Sequence, residues 1–333
     1  MTRATRVVAF GGGHGLAASL RALRRCAAEL PLDITAVVTV GDDGGSSGRL
    51  RAERDVLPPG DLRQALAALA ADDPASELTA ALFQHRFAAA PPAEGGLLAV
   101  PGPPDALTGH AVGNLVLCGL MELLGDPVAA LDHAAGLVRA VGRVLPMSRE
   151  PVGIEADVRG ADPARPSELT TVRGQHAVAV TPGHVESVRL TPASPPACAE
   201  AIEAVAAADW LIFGPGSWYT SVIPHLLVPD LAAAIVASPA RRLVLLNLAR
   251  ENETLGLSLA DHLAALSWYL PALRIDVVLA DGKALGDPDP VDRAAESLGA
   301  RLAVALVAVA DGAPRHDPAA LGEALVPVVG ADR

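Results

Sequence analysis

Apolar positions along this chain fall into short unbroken runs separated by longer stretches of helical spacing. Val7-Val8-Ala9-Phe10 and Ile34-Thr35-Ala36-Val37-Val38-Thr39-Val40 have strand character, and between them Leu16, Leu20 and Leu23 recur at helical spacing. The pattern predicts a strand, a helix from about Gly15 and a second strand. A helix over Asp61 to Ala71 is announced by Pro58-Pro59-Gly60, and one over His110 to Leu124 is stopped at Gly125. Later, Trp210 to Phe213, Arg242 to Leu246, Ile275 to Leu279 and Leu302 to Val309 read as buried strands. Helices are predicted over Ala197 to Ala207, Ser258 to Leu266 and Asp317 to Leu325. Alternation of this kind predicts an α/β fold, a doubly wound and mainly parallel sheet in one domain over 5–329.

Between 142 and 192 the period changes to two. Val152-Gly153-Ile154-Glu155-Ala156-Asp157-Val158 and Ser187-Val188-Arg189-Leu190 alternate and are separated by Gly/Pro turns, which predicts a small antiparallel, β-rich insertion. The stretch Ala88 to Pro104 is expected to be the most mobile loop, and no internal repeat is found.

The hydrophobic share of 51% is scattered, so no run is long enough for a membrane span. Met1-Thr2-Arg3-Ala4-Thr5-Arg6 leads directly into a strand, and the expectation is a cytoplasmic protein. Cys26, Cys118 and Cys198 form no C-x-x-C pair, which argues against a disulfide framework or a zinc site. A net charge of −12 opposes nucleic-acid binding, which depends on many basic contacts to phosphate. With Lys283 the single lysine, anion pairing falls to arginine.

Candidate chemistry sits at the ends of the predicted strands. Gly11-Gly12-Gly13-His14-Gly15-Leu16 follows the first strand and points a helix N-terminus at its own loop, an arrangement suited to phosphate. The strict dinucleotide fingerprint fails because Leu16 stands at the third glycine position, and a plain tight turn is the competing reading. After the second strand comes Gly41-Asp42-Asp43-Gly44-Gly45-Ser46-Ser47-Gly48-Arg49, where a carboxylate can take a ribose or Mg²⁺ and the hydroxyls and guanidinium suit an anion. Asp-Gly pairs are also ordinary turn formers. His110 and Asn114 share a helix face and could reach one ligand, or His110 could be a satisfied buried histidine. Gly214-Pro215-Gly216-Ser217-Trp218-Tyr219-Thr220-Ser221 resembles an anion cradle, its aromatics being either base-stacking groups or packing anchors. Asn247 to Thr254 follows a further strand and leads to Asp261-His262, a weak acid/base candidate.

These segments together resemble one family. Asp42 to Arg51, Leu57-Pro58-Pro59-Gly60-Asp61-Leu62-Arg63, Gly109-His110 with Gly113-Asn114-Leu115, and Gly214-Pro215-Gly216-Ser217 with Tyr219-Thr220-Ser221 look like signatures of the YvcK proteins. That group is the bacterial gluconeogenesis-factor branch of the CofD-like superfamily. The resemblance runs from about Arg6 to Leu325 and includes Gly142 to Pro146, Leu226 to Pro229 and Arg315-His316-Asp317. It implies a Rossmann-like three-layer fold and a cytoplasmic regulator that binds nucleotide-sugars such as UDP-N-acetylglucosamine. It further implies links to gluconeogenic growth, cell-wall synthesis and cell shape, with no established reaction, so no catalytic residue is assigned. The nucleotide-binding set expected on these grounds is Gly11, Gly12, Gly13, His14, Gly15, Asp42, Asp43, Gly44, Gly45, Ser46, Ser47, Arg49, His110, Asn114, Gly214, Gly216, Ser217, Tyr219, Thr220, Ser221 and Asn247. Mg²⁺ at Asp42 and Asp43 is the one candidate cofactor. Candidate partners are a UDP-sugar or other nucleotide, a regulatory protein and a second copy of the chain.

The sister branch, CofD itself, is a Mg²⁺-dependent transferase of a phospholactyl group from a guanosine-diphosphate donor to the deazaflavin precursor of coenzyme F420. Gly41 matches CofD, where YvcK proteins usually carry alanine, but the following Gly-Gly-Ser-Ser-Gly-Arg-Leu-Arg favours the YvcK branch. Two departures bear on ligand choice. His14 stands where that branch has threonine, and Asn247 to Thr254 differs from the usual loop in its middle.

Overall fold

A computed structural model describes residues 3–88, 106–249, 252–254 and 256–331. Its strands are β1 (Thr5–Gly11), β2 (Leu32–Val38), β3 (Arg143–Pro146), β4 (Gly153–Arg159), β5 (Leu169–Arg173), β6 (His184–Thr191), β7 (Trp210–Phe213), β8 (Arg241–Leu245), β9 (Val277–Asp281) and β10 (Arg301–Ala305). Seven of them make one sheet in the order β10-β9-β8-β7-β1-β2-β3, and every pairing in it is parallel. The chain winds outward from β1 to β3, returns to β7 beside β1, and winds outward again to β10. Strand order therefore reverses between β1 and β7, the place where doubly wound sheets open a crevice.

Strands covered on both faces need apolar residues throughout, which is why β1 and β7 read as unbroken runs. Val7, Val8, Ala9 and Phe10 are all buried, and the Phe10 ring stacks on Phe213 at 4.8 Å. Helices cover the sheet: α1 (Gly13–Cys26), α2 (Gly45–Arg54), α3 (Pro59–Ala68), α4 (Pro74–Gln84), α5 (Val112–Leu124), α6 (Pro127–Leu137) and α7 (Gln175–Ala179), followed by others after β6. The α1 helix buries Leu16, Leu20 and Leu23 on one face, each contributing roughly 1.5–3 kcal/mol. It packs against α3 and against the last helix, Pro318–Val329. Gly125, in the left-handed conformation at φ +65°, ends α5 where expected.

The antiparallel insertion is a three-stranded sheet in the order β5-β4-β6. Ile154, Ala156 and Val158 of β4 point into the core, while Glu155 and Asp157 alternate outward to Arg173 and Arg189. Hydrogen bonds to the parallel body include Val188 N–H donating to the Tyr269 hydroxyl at 2.7 Å. The insertion is narrower than 142–192, since Arg143–Pro146 forms β3 and joins the parallel sheet.

Two other elements differ from the sequence expectation. Residues Gly45 to Arg49 belong to α2 rather than to a loop. The strand predicted over Leu302 to Val309 stops at Ala305, because the next N–H groups, Val307 and Ala308, turn to the Asp281 carboxylate. The segment expected to be mobile falls, Ala88 apart, outside the described residues. Among the described residues no single helix is long and apolar enough to cross a membrane.

Candidate functional site

A cleft of about 640 Å³ opens at the carboxyl ends of β1, β2, β7 and β8, a volume in the usual range of small-ligand sites. The loops flanking the strand-order reversal form its floor. Gly12, Gly13, His14 and Gly15 line one side, and Pro215, Gly216, Ser217 and Ser221 line the other. The two loops touch so closely that a Cβ on Gly15 would overlap the Pro215 carbonyl oxygen, and one on Gly12 would meet Asp61 Oδ2 and Thr39 Cγ2. Glycine here serves close backbone approach. The α1 N-cap, Gly12, brings no side chain of its own; the Asp61 carboxylate takes the Gly13 N–H, and the positive dipole end of the helix faces the cleft.

Asn247, at the end of β8, holds the second loop. Its Oδ1 accepts from Gly216 N–H and its Nδ2 donates to Gly216 C=O, both at 2.9 Å. Behind that loop, buried Glu253 accepts from Tyr219 N–H at 2.8 Å and from the Thr220 hydroxyl at 2.9 Å. Trp218 and Tyr219 face inward as packing anchors, Trp218 stacked on His262 at 5.2 Å and Tyr219 edge-on to Tyr269 at 6.5 Å. Neither ring lines the cleft. Asp261 caps the Leu259–Tyr269 helix through a reciprocal capping box with Ser258, so Asp261-His262 serves packing and capping.

The acidic loop divides its residues among different tasks. Asp42 lines the cleft while its Oδ1 accepts from Gly44 N–H at 2.9 Å. Asp43 lies outside it and accepts from His176 N–H at 2.9 Å, which fixes the start of α7. Ser46 is buried under the loop, where its Oγ lies 2.9 Å from His110 Nδ1 and accepts from Asn114 Nδ2 at 2.9 Å. Burial, then the neighbouring Arg49 charge, lowers the His110 pKa. A neutral ring leaves Nδ1 able to accept the Ser46 proton. His110 and Asn114 thus meet at one point, as their spacing suggested, but that point is Ser46. Arg49 donates to the Thr108 carbonyl at 2.8 Å. Of the expected set, Gly12, Gly13, His14, Gly15, Asp42, Gly216, Ser217, Thr220, Ser221 and Asn247 line the cleft. Gly11, Asp43, Gly44, Gly45, Ser46, Ser47, Arg49, His110, Asn114, Gly214 and Tyr219 surround or support it.

Several lining residues were missed by sequence reasoning. Asp61, the second residue after Pro59 in α3, is buried at the back of the cleft. Burial, and then the Asp42 charge, pushes its carboxyl up to about 7. A pair of carboxylates with so little compensation suits a divalent cation, which would neutralise both. Among the described residues no three His, Cys, Asp or Glu side chains converge on a metal position. Asp42 and Asp61 would therefore share the ion with ligand oxygens and water, and Asp43 is turned elsewhere. Arg21 extends the cleft face of α1, three and seven residues beyond Ala18 and His14. The far wall comes from Gln175, His176 and Ala179 of α7 and from Val309 and Pro314 to His316. Burial lowers the His316 pKa, opposed by the Leu246 backbone and the Asp281 charge. The one hint in sequence was the Arg315-His316-Asp317 motif.

Comparison with known proteins supplies the kinship. The family model described as 2-phospho-L-lactate transferase CofD matches residues 7–300. A Mycobacterium tuberculosis (strain CDC 1551 / Oshkosh) protein named "Putative gluconeogenesis factor" is 49% identical over 323 residues, covering 96% of this chain and 89% of its own. The Bacillus subtilis (strain 168) "Gluconeogenesis factor" is 35% identical over 302 residues, covering 90% and 86%. A crystal structure of a UPF0052 family member from Bacillus halodurans superposes with a TM-score of 0.80 at 32% identity, covering 98% of this chain and 100% of that one. With matches of this extent to both model and relatives, the chain belongs to the CofD-like superfamily and, within it, to the gluconeogenesis-factor (YvcK) family.

Proposed function

We propose that this protein is a cytoplasmic regulator of central carbon metabolism, cell-wall synthesis and cell shape that works by binding a nucleotide-sugar of the UDP-N-acetylglucosamine type. The observation that carries the reading is the meeting of the α1 N-terminus with the Pro215–Gly216 backbone at the sheet's switch point, on the floor of the cleft. Backbone N–H groups and a helix dipole there suit a diphosphate. Asp42 and Asp61 suit a ribose or a Mg²⁺ that bridges to the phosphates. Arg21, His14 and His316 provide cationic or ionisable groups along the remaining wall, in a chain whose net charge is otherwise −12. Ligand binding would favour a cleft-closed population and so alter a surface read by a regulatory protein.

A second reading is supported by the family model and by the Asp42–Asp61 pair. It is a CofD-like Mg²⁺-dependent 2-phospholactate transferase, in which the two carboxylates would hold the ion that stabilises the guanosine monophosphate released when the donor's phosphoanhydride bond breaks. A thermal-shift panel of UDP-sugars, NAD, GDP and the deazaflavin, each with and without Mg²⁺, separates the readings. Ligand at a hundred times its Kd adds about 2.7 kcal/mol of apparent stability. A shift with UDP-N-acetylglucosamine and none with GDP supports the regulator, and product from deazaflavin and donor replaces it with the transferase. No shift with any nucleotide removes both.

A further inference from the structure

We propose that the β10 edge of the sheet is a self-association surface, through which two copies pair antiparallel about Val304 and join their sheets. The evidence begins with which way backbone groups point. Arg301 N–H donates to Asp276 C=O, and Ala305 C=O accepts from Gly282 N–H, so Arg301, Ala303 and Ala305 turn their polar groups towards β9. Further along, Val307 C=O and Val309 N–H pair with Asp317 and Arg315, a segment that takes over where β9 ends. By alternation, the N–H and C=O groups of Leu302, Val304 and Leu306 point away from the sheet, where β10 has no neighbouring strand among the described residues.

The side chains agree. Parallel sheets normally cover both faces, yet Val304 is 53% and Leu306 64% exposed. The opposite edge is protected: β3 is four residues long, ends in Pro146, and ties Arg143 to Asp132. β10 opens on the exposed Arg301, and beyond it the run from Leu302 to Ala310 carries no charge and no proline. A row of outward N–H and C=O groups asks for a strand. The strand that fits is a second copy, because antiparallel pairing of identical edges is self-complementary, setting Val304 on Val304 and Leu302 on Leu306. Electrostatics favours the same place: copies carrying −12 each repel over most of their surface, and this strip has no ionisable side chain. The strip also runs straight into the cleft wall at Val309, so pairing would brace that wall.

Sedimentation velocity on the full chain at micromolar concentration tests this, beside Val304→Lys and Val304→Pro. The proline removes an outward N–H and leaves the bonds to β9 intact. A wild-type dimer that halves in mass in both folded variants, by circular dichroism, is the expected result. A monomeric wild type overturns the proposal, and so does a dimer that persists in either folded variant. A cross-link provides a reading that does not depend on those variants folding. Paired residues in such a ladder have Cα atoms about 5.5 Å apart, within disulfide range. The native cysteines are all buried. Val304→Cys should oxidise to a covalent dimer while Leu169→Cys, on the exposed β5 edge, stays monomeric; equal cross-linking of the two, or none at Val304→Cys, overturns the register.

Discussion

Asn247 and Gly216 are joined by a two-point amide-to-backbone clamp, with both bonds at 2.9 Å. The side chain thereby holds the loop at Gly216, beyond the point where Gly214 N–H donates to Phe10 C=O of β1. Asn247→Asp preserves shape and the acceptor for Gly216 N–H but sets a carboxylate oxygen against Gly216 C=O. We expect a loss of about 1–3 kcal/mol, the cost of leaving a buried polar group unmatched. Because Gly216 lines the cleft, nucleotide affinity should fall by tenfold or more, read by titration calorimetry beside a urea melt. Unchanged affinity in a folded variant would mean that the ligand does not lean on this loop.

Gly15 and Gly119 make a matched pair for testing what the first loop is for. Gly15→Ala drives a methyl into the Pro215 carbonyl and should pry the two loops apart, costing about 1–3 kcal/mol and abolishing the nucleotide-induced melting shift. Gly119 lies in the exposed interior of α5 with nothing within 4 Å of its missing Cβ. Gly119→Ala should therefore stabilise by about 0.5–1 kcal/mol without touching binding. Equal effects of the two on binding would remove the close-approach explanation.

The parts legible in sequence were those set by local pattern. Trp210–Phe213 was placed to the residue, and Gly125 stopped its helix as predicted. The α2 helix was invisible because Gly45-Ser46-Ser47-Gly48 has poor helical propensity. It forms through distant partners: His110 and Asn114 grip Ser46, and Gly48 has no side chain to collide with the Asp43 backbone. Asp61 escaped notice for a similar reason. One carboxylate after Pro-Pro-Gly looks like first-turn helix chemistry, and only the packing of Gly12 against it makes it a buried group. The far wall of the cleft is remote in sequence from the first loop, and apart from the Arg315-His316-Asp317 motif nothing local marks it.

That wall depends on Asp281, whose carboxylate at the end of β9 gathers four N–H groups. Lys283 and Ala284 donate to Oδ1 at 2.8 and 3.0 Å, and Val307 and Ala308 donate to Oδ2 at 2.8 and 3.1 Å. Burial would raise its pKa, but the four donors together outweigh that and hold it below the ordinary range. Asp281→Ala should cost about 2–4 kcal/mol, since several charge-assisted bonds go at once. Hydrogen exchange should quicken over 306–309 and leave β1 and β2 protected. Uniform quickening across the sheet would show a global loss and no special tie to the wall.

His225 carries the pH prediction. It lies wholly buried beneath Phe10, with Nε2 3.1 Å from Val37 C=O and Nδ1 3.3 Å from Val222 C=O. Burial, only partly offset by those carbonyls, depresses its pKa to about 4. The ring is neutral in the folded protein and has a single N–H to give, which we assign to the shorter contact. An unfolded histidine titrates near 6.5, so between about pH 6.5 and 4 the unfolded chain binds the extra proton. The contribution is fully present above about 6.5 and is lost as pH falls towards 4, amounting to about 3 kcal/mol at most. Asp61 acts with opposite sign, because a carboxyl raised to about 7 favours the fold when protonated. It is common to wild type and to His225→Asn, so it cancels in their difference. Urea midpoints should fall more steeply with acid in wild type than in His225→Asn, and parallel curves between pH 7 and 4 would show that the ring is not held neutral by burial.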